Sequence, residues 1–67
     1  MSVVEKAKEM KEGLEAAEVT LAEIVAWADK EIEQADEPLD EIIELSMVKT
    51  ENDAITWLSN LLNNHGA

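Results

Sequence analysis

Apolar residues recur at helical spacing along almost the whole chain. Leu21, Ile24, Val25, Ala28, Ile32 and Ala35 form one stripe. Leu39, Ile42, Ile43 and Ser46 share a second face, flanked by Leu45 and Met47. Ile55, Leu58, Leu61 and Leu62 form a third, widened by Ala54 and Trp57. Steps of three and four residues place side chains on one side of an α-helix, and no segment alternates apolar and polar long enough for a half-buried strand. The boundaries carry their own signals. A capping box, in which Ser or Thr binds an orphan amide and an acid three residues on reaches back, is spelled by Ser2 with Glu5, by Thr20 with Glu23 and, in shorter form, by Thr50 with Asp53. Val19 and Ile24 stand at the two positions of a hydrophobic staple around Thr20, and Pro38 suits the first turn of a helix. Stops are read at Gly13, at Asp36–Glu37 before Pro38, at Lys49 and at Asn64 to Gly66. Together these predict an all-α fold in one domain, residues 1–67: a small bundle of three to four short helices near 3–12, 20–35, 38–48 and 51–64. The short connections favour antiparallel packing of successive helices.

One stretch supports two readings. Val3, Ala7, Met10, Leu14, Ala17, Leu21, Ile24 and Ala28 alternate at spacings of four and three, a heptad seam that runs through Gly13 and Thr20. Helices 1 and 2 could therefore be fused into one rod over 3–35, about 50 Å long at 1.5 Å per residue, which only a second subunit could cover. Glycine inside a helix costs about 1 kcal/mol, too little to forbid the rod. The coincidence of capping box and staple at Thr20 favours a break. Residues 1–18 are then a docked helix, an extension of the second helix or a semi-independent arm.

Charge narrows the classes of partner. The 67 residues carry 16 acids against 5 lysines and no arginine, a formal net charge of −11. Binding to nucleic acid or to an anionic membrane needs clustered Lys and Arg and is not expected. The acids are unevenly placed. Asp29, Glu31, Glu33, Asp36, Glu37, Asp40, Glu41 and Glu44 face the single Lys30 within residues 29–44, and from Ala54 onward there is no Asp, Glu, Lys or Arg. Like charges four residues apart on a helix destabilise it by a few tenths of a kcal/mol per pair. Acids in a first helical turn answer the macrodipole, which accounts for Glu37, Asp40 and Glu41, whereas Asp29, Glu31, Glu33 and Glu44 have no such explanation. The cluster reads either as a solvated face that keeps a small protein soluble or as a docking surface for a basic partner, able to stand in for a row of phosphates.

Trp27 and Trp57 fall at the edges of their stripes, as partly buried indoles with the N–H near water or as interface anchors. The last helix carries Thr56, Ser59, Asn60 and Asn63 on its back, a neutral polar face that suits self-association or a position between other helices.

The inventory for catalysis is poor. Without cysteine there is no disulfide, zinc-thiolate site or thiol nucleophile; His65, the single histidine, sits where a cation favours a helix C-terminus; no glycine-flanked serine, Glu-x-x-His pair, calcium loop or phosphate-cradling loop is present. No catalytic residue, metal ligand, cofactor or enzymatic activity is expected. The start of the chain lacks a signal-peptide layout and no apolar run reaches about 20 residues, so the expectation is a soluble, cytoplasmic protein.

Two functional readings follow. In the first, the chain is a small acidic interaction module, an inhibitor or adaptor that occludes the basic, nucleic-acid-binding cleft of a partner protein. By size and charge alone it is analogous to nuclease immunity proteins, anti-restriction proteins and phage anti-CRISPR proteins, without a motif that matches any one family. Its binding residues would be Asp29, Glu33, Asp36, Glu37, Asp40, Glu41 and Glu44, with Trp27 and Trp57. In the second, the chain is a structural or regulatory homo-oligomer, a homodimer in its simplest form. It would associate through the Val3, Ala7, Met10, Leu14 seam or through the last helix, and the acids would serve solubility alone.

Overall fold

The decisive local event is at residues 16–20, where the heptad seam breaks. The computed structural model describes residues 3–66. In it α1 (Val3–Glu15) ends before α2 (Leu21–Gln34) begins, and α3 (Asp40–Leu45) and α4 (Glu51–His65) follow. Thr20 opens α2 with both halves of its capping box. The Glu23 amide donates to Thr20 Oγ1 at 3.2 Å, and the Thr20 amide donates to Glu23 Oε2 at 2.8 Å. Thr50 opens α4, accepting the Asp53 amide at 3.1 Å. The box at Ser2 lies outside the described residues.

Gly13 does not stop α1. The helix runs two residues further and closes in a Schellman pattern: the Ala17 amide donates to Leu14 O at 3.1 Å and the Glu18 amide to Gly13 O at 2.7 Å. The left-handed position this requires is filled by Ala17, φ 60°, where an L-residue gives up about 1–2 kcal/mol that glycine would not. Gly13 serves packing instead. The chain folds back so that Val19 lies over it, and a Cβ at 13 would fall on Val19 Cγ2.

The third helix is six residues long, shorter than the 38–48 read from the sequence. Pro38 lies one position before the N-cap, and Leu39 takes that cap in an extended conformation with no side-chain bond, which lets its side chain turn inward. At the other end the Ser46 hydroxyl donates to Ile43 O at 2.7 Å, and Met47 and Val48 make i→i−3 bonds that tighten the chain into a turn.

Packing follows from where the apolar faces point. α4 touches all three other helices, α1 packs mainly on α4, and α2 packs on α3. α1 and α4 are antiparallel, since Val4 near the start of α1 meets Gly66 just beyond the end of α4. The core consists of Ala7 and Leu14 from α1, Ile24 and Ala28 from α2, Ile42 and Leu45 from α3, and Ala54, Leu58 and Leu61 from α4. Residues 3–15 are thus a docked helix, neither an arm nor the start of a rod. The longest dimension is 31 Å, short of the 50 Å rod, and the radius of gyration of 10.6 Å matches the value of about 11 Å for a compact chain of this length. On α3 the face is rotated from the one read in the sequence. Leu45 is completely buried, while Ile43 and Met47 point outward, 37% and 58% exposed. Among the described residues no helix is long and apolar enough to cross a membrane.

Candidate functional site

The acidic residues gather around the corner where α2 ends and α3 begins. Asp29 and Glu33 are exposed on α2, Asp36 and Glu37 are exposed in the connection, and Asp40 is exposed in the first turn of α3. Glu31 and Glu44 are half-buried. Two ion pairs are formed among the described residues, Lys6 with Glu9 at 3.8 Å inside α1 and Glu41 with His65 at 3.1 Å. Neither neutralises the exposed acids of the corner. Their charges therefore face water, and their mutual repulsion is softened only by solvent and salt.

Glu41 departs from the face to which its charge assigned it. Its residue is 8% exposed, and its carboxylate is engaged inside the molecule. Asn64 Nδ2 donates to Oε2 at 2.8 Å, and His65 Nε2 lies 3.1 Å from Oε1, a hydrogen bond when that nitrogen carries the proton. These bonds cross from α3 to the last turn of α4. The Asn64 bond, then the backbone amide, and then His65 by hydrogen bond and charge hold the Glu41 carboxyl below its ordinary value of 4.5, against the opposing effect of burial. A partner that took over this carboxylate would compete with Asn64 and His65 for it. His65, read as a terminal cation, is one of its members. The signal missed in the sequence was the one residue of the acidic run that falls on the buried side of α3, beside Ile42 and Leu45.

Two cavities open on either side of the Glu37–Leu39 segment. One, of about 270 Å³, has apolar walls: Val3 arrives from α1, Ala35 ends α2, and Pro38, Leu39 and Ile42 complete it. Glu31 and Glu37 are its only ionisable lining residues. The other, of about 430 Å³, is an open depression where Glu37, Asp40 and Glu41 face Asn64 and His65. Sequence reasoning located the acids of this corner but not its apolar pocket, because Val3 comes from a segment some thirty residues away.

The tryptophans line neither of these two cavities. Trp27 is half-buried on α2, and its indole N–H, expected near water, is covered and has no partner among the described residues. It offers no donor to another molecule. Trp57 lines a shallow third depression of about 190 Å³ with Glu44, Met47, Val48, Lys49 and Asp53. Among the described residues no group of three His, Asp or Glu side chains converges closely enough to hold a metal ion. The chain matches no protein-family model, no curated protein and no solved structure.

Proposed function

We propose that the chain is a non-enzymatic interaction module, an inhibitor or adaptor, that sets its α2–α3 corner against a basic cleft of a partner protein. The partner's class is nucleic-acid-handling, and the mode of action is occlusion, by analogy of size and charge with immunity proteins and phage anti-defence proteins. The observation that supports this reading is the run of exposed carboxylates at Asp29, Glu33, Asp36, Glu37 and Asp40, with no cation paired to any of them among the described residues. Uncompensated negative potential concentrated on one corner attracts a basic surface, speeds encounter and repels acidic competitors. Self-association is less well supplied with surface. Ala7 and Leu14 of the seam are sunk against the rest of the core, and α4 is occupied on the sides it gives to α1, α2 and α3.

The test has two stages. Immobilised protein is used to capture partners from a host lysate, and the captured protein is then titrated at rising salt and in competition with duplex DNA. Binding is expected to weaken at least tenfold as the screening length falls from about 10 Å at 0.1 M salt to about 3 Å at 1 M, and the chain is expected to displace the DNA. The triple charge reversal D36K/E37K/D40K is expected to abolish capture. Glu41 is left intact because its loss would disturb α3 rather than the surface alone. Capture that ignores both salt and charge reversal would refute the proposal.

A further inference from the structure

The apolar pocket beside the acids gives the corner a second kind of selectivity. Its volume of about 270 Å³ lies below the roughly 300–1,000 Å³ of small-molecule sites, so it fits one long side chain better than a cofactor. Walls of Val3, Ala35, Pro38, Leu39 and Ile42 favour an aliphatic body, since a bare ammonium or guanidinium inside them would lose its hydration without replacement. Glu31 and Glu37, the two charged lining residues, form no ion pair among the described residues.

An aliphatic stem that ends in a cation satisfies both parts at once. We infer that this pocket receives the side chain of a lysine or arginine from the basic partner, its methylenes against the apolar walls and its charged head at Glu31 and Glu37. A purely apolar side chain would leave the two carboxylates uncompensated at a closing interface. An acidic segment is disfavoured by repulsion, and so is a second copy of this chain, which brings its own net charge of −11. The inference rests on the proposed function and deepens it, because it turns a diffuse electrostatic attraction into a stereochemical one. Surface charge supplies rate, and a seated side chain supplies register.

The probe is the blocked tripeptide acetyl-Ala-Arg-Ala-amide, titrated at millimolar concentration into isotope-labelled full-length protein and followed by amide chemical shifts. Saturable shifts are expected at Glu31, Ala35, Leu39 and Ile42. Replacing arginine by its neutral isostere citrulline should weaken binding about threefold to fivefold, the scale of a solvent-screened ion pair. The glutamate peptide should not bind. A35L, which fills the pocket without changing charge, should remove the saturable shifts while the helical circular dichroism is retained. If A35L fails to fold, E31Q/E37Q takes its place, with the same threefold to fivefold loss expected. Citrulline and arginine binding equally would overturn the cationic part. Shifts that spread without saturation over Asp29, Asp36 and Asp40 and spare the pocket would overturn the site, as would occupation by the chain's own first two residues, seen as unbound-state contacts to Ala35 and Ile42 that the peptide does not displace. The functional reading fails by a different observation: neutralising Asp29, Glu33, Asp36 and Asp40, none of which lines the pocket, leaves capture of the basic partner intact.

Discussion

α4 and the α2–α3 corner are built on opposite terms. From Ala54 on, α4 has no Asp, Glu, Lys or Arg, and it is the helix that touches all three others, with Ala54, Leu58 and Leu61 completely buried. The corner carries eight of the 16 acids, and most of those eight are exposed. A charge taken out of water costs several kcal/mol unless it is paired, so a helix covered on several sides is best made of apolar and neutral polar residues. A corner left in water meets no such limit. The contrast teaches that in a chain of 67 residues, too small for a thick core, structural and surface duties are divided by region. The two regions are joined by a polar strut, from Glu41 to Asn64 and His65.

The comparison breaks most visibly if α4 can be damaged without loss of stability. Leu61→Ala is expected to cost about 2–5 kcal/mol, the range for truncating a buried leucine. Since domains hold roughly 0.05–0.15 kcal/mol per residue, this is a large share of a total of about 3–10 kcal/mol, and urea titration followed by circular dichroism should show a clearly lower midpoint. A loss below about 1 kcal/mol would show that α4 is not the support described.

Glu41→Gln probes the strut. Loss of the charged acceptor for Asn64 and His65 is expected to cost about 1–3 kcal/mol at neutral pH. The sign of the pH dependence follows from the depressed Glu41 pKa. The carboxylate's contribution is complete above its ordinary value of 4.5 and disappears as pH falls through the lower folded value. The stability gap between wild type and Glu41→Gln, measured by urea titration at pH 6 and pH 3, should therefore close on the acid side. A gap that is constant or wider at pH 3 would contradict the strut.

Gly13→Ala tests the turn that sends α1 to α4 instead of onward into α2. Alanine gains about 1 kcal/mol of helix propensity over glycine, but overpacking against Val19 takes back about 1–3 kcal/mol. A net destabilisation on the order of 1 kcal/mol is expected, and in a Val19→Ala background the same substitution should become neutral or stabilising. Additivity of the two substitutions in thermal melts would remove Val19 from the explanation.

The smallest effect belongs to the corner. The variant D36N/E37Q/D40N is expected to change stability by no more than a few tenths of a kcal/mol at low salt and less at high salt, as relief of repulsion between exposed carboxylates is offset by loss of the Asp40 charge at the start of α3. A loss of 1 kcal/mol or more would mean that these acids hold the fold together and would erase the division between the two regions.

Much of this architecture was legible in the residues. The stripes on α2 and α4, the Thr20 box with both of its hydrogen bonds, and the Thr50 cap all depend on neighbours within four positions, and such local terms can be read along a line. The error at α3 has a related cause. Leu39 caps without a side-chain bond and Ser46 bends the far end, so the six residues between have no strong boundary signal of their own. Gly13 was legible as unusual but not as a seat for Val19, because that contact depends on Ala17 adopting φ 60°, a conformation no alanine advertises. At the candidate site the acids were plain in the sequence. The apolar pocket beside them was not, since Val3 reaches it only after α1 has docked.

What this sequence determines by itself is the helical content, the two capped starts at Thr20 and Thr50, and the concentration of negative charge in its middle third. Each is set by covalent order and short-range hydrogen bonding. Only the tertiary structure decides that α1 lies on α4, that Leu45 turns in while Ile43 turns out, and that Glu41 alone among its acidic neighbours is withdrawn from water. Those outcomes depend on which faces close over one another. Burial is a property of surfaces brought together from distant parts of the chain, and identical carboxylates acquire different roles according to the side of α3 on which they emerge.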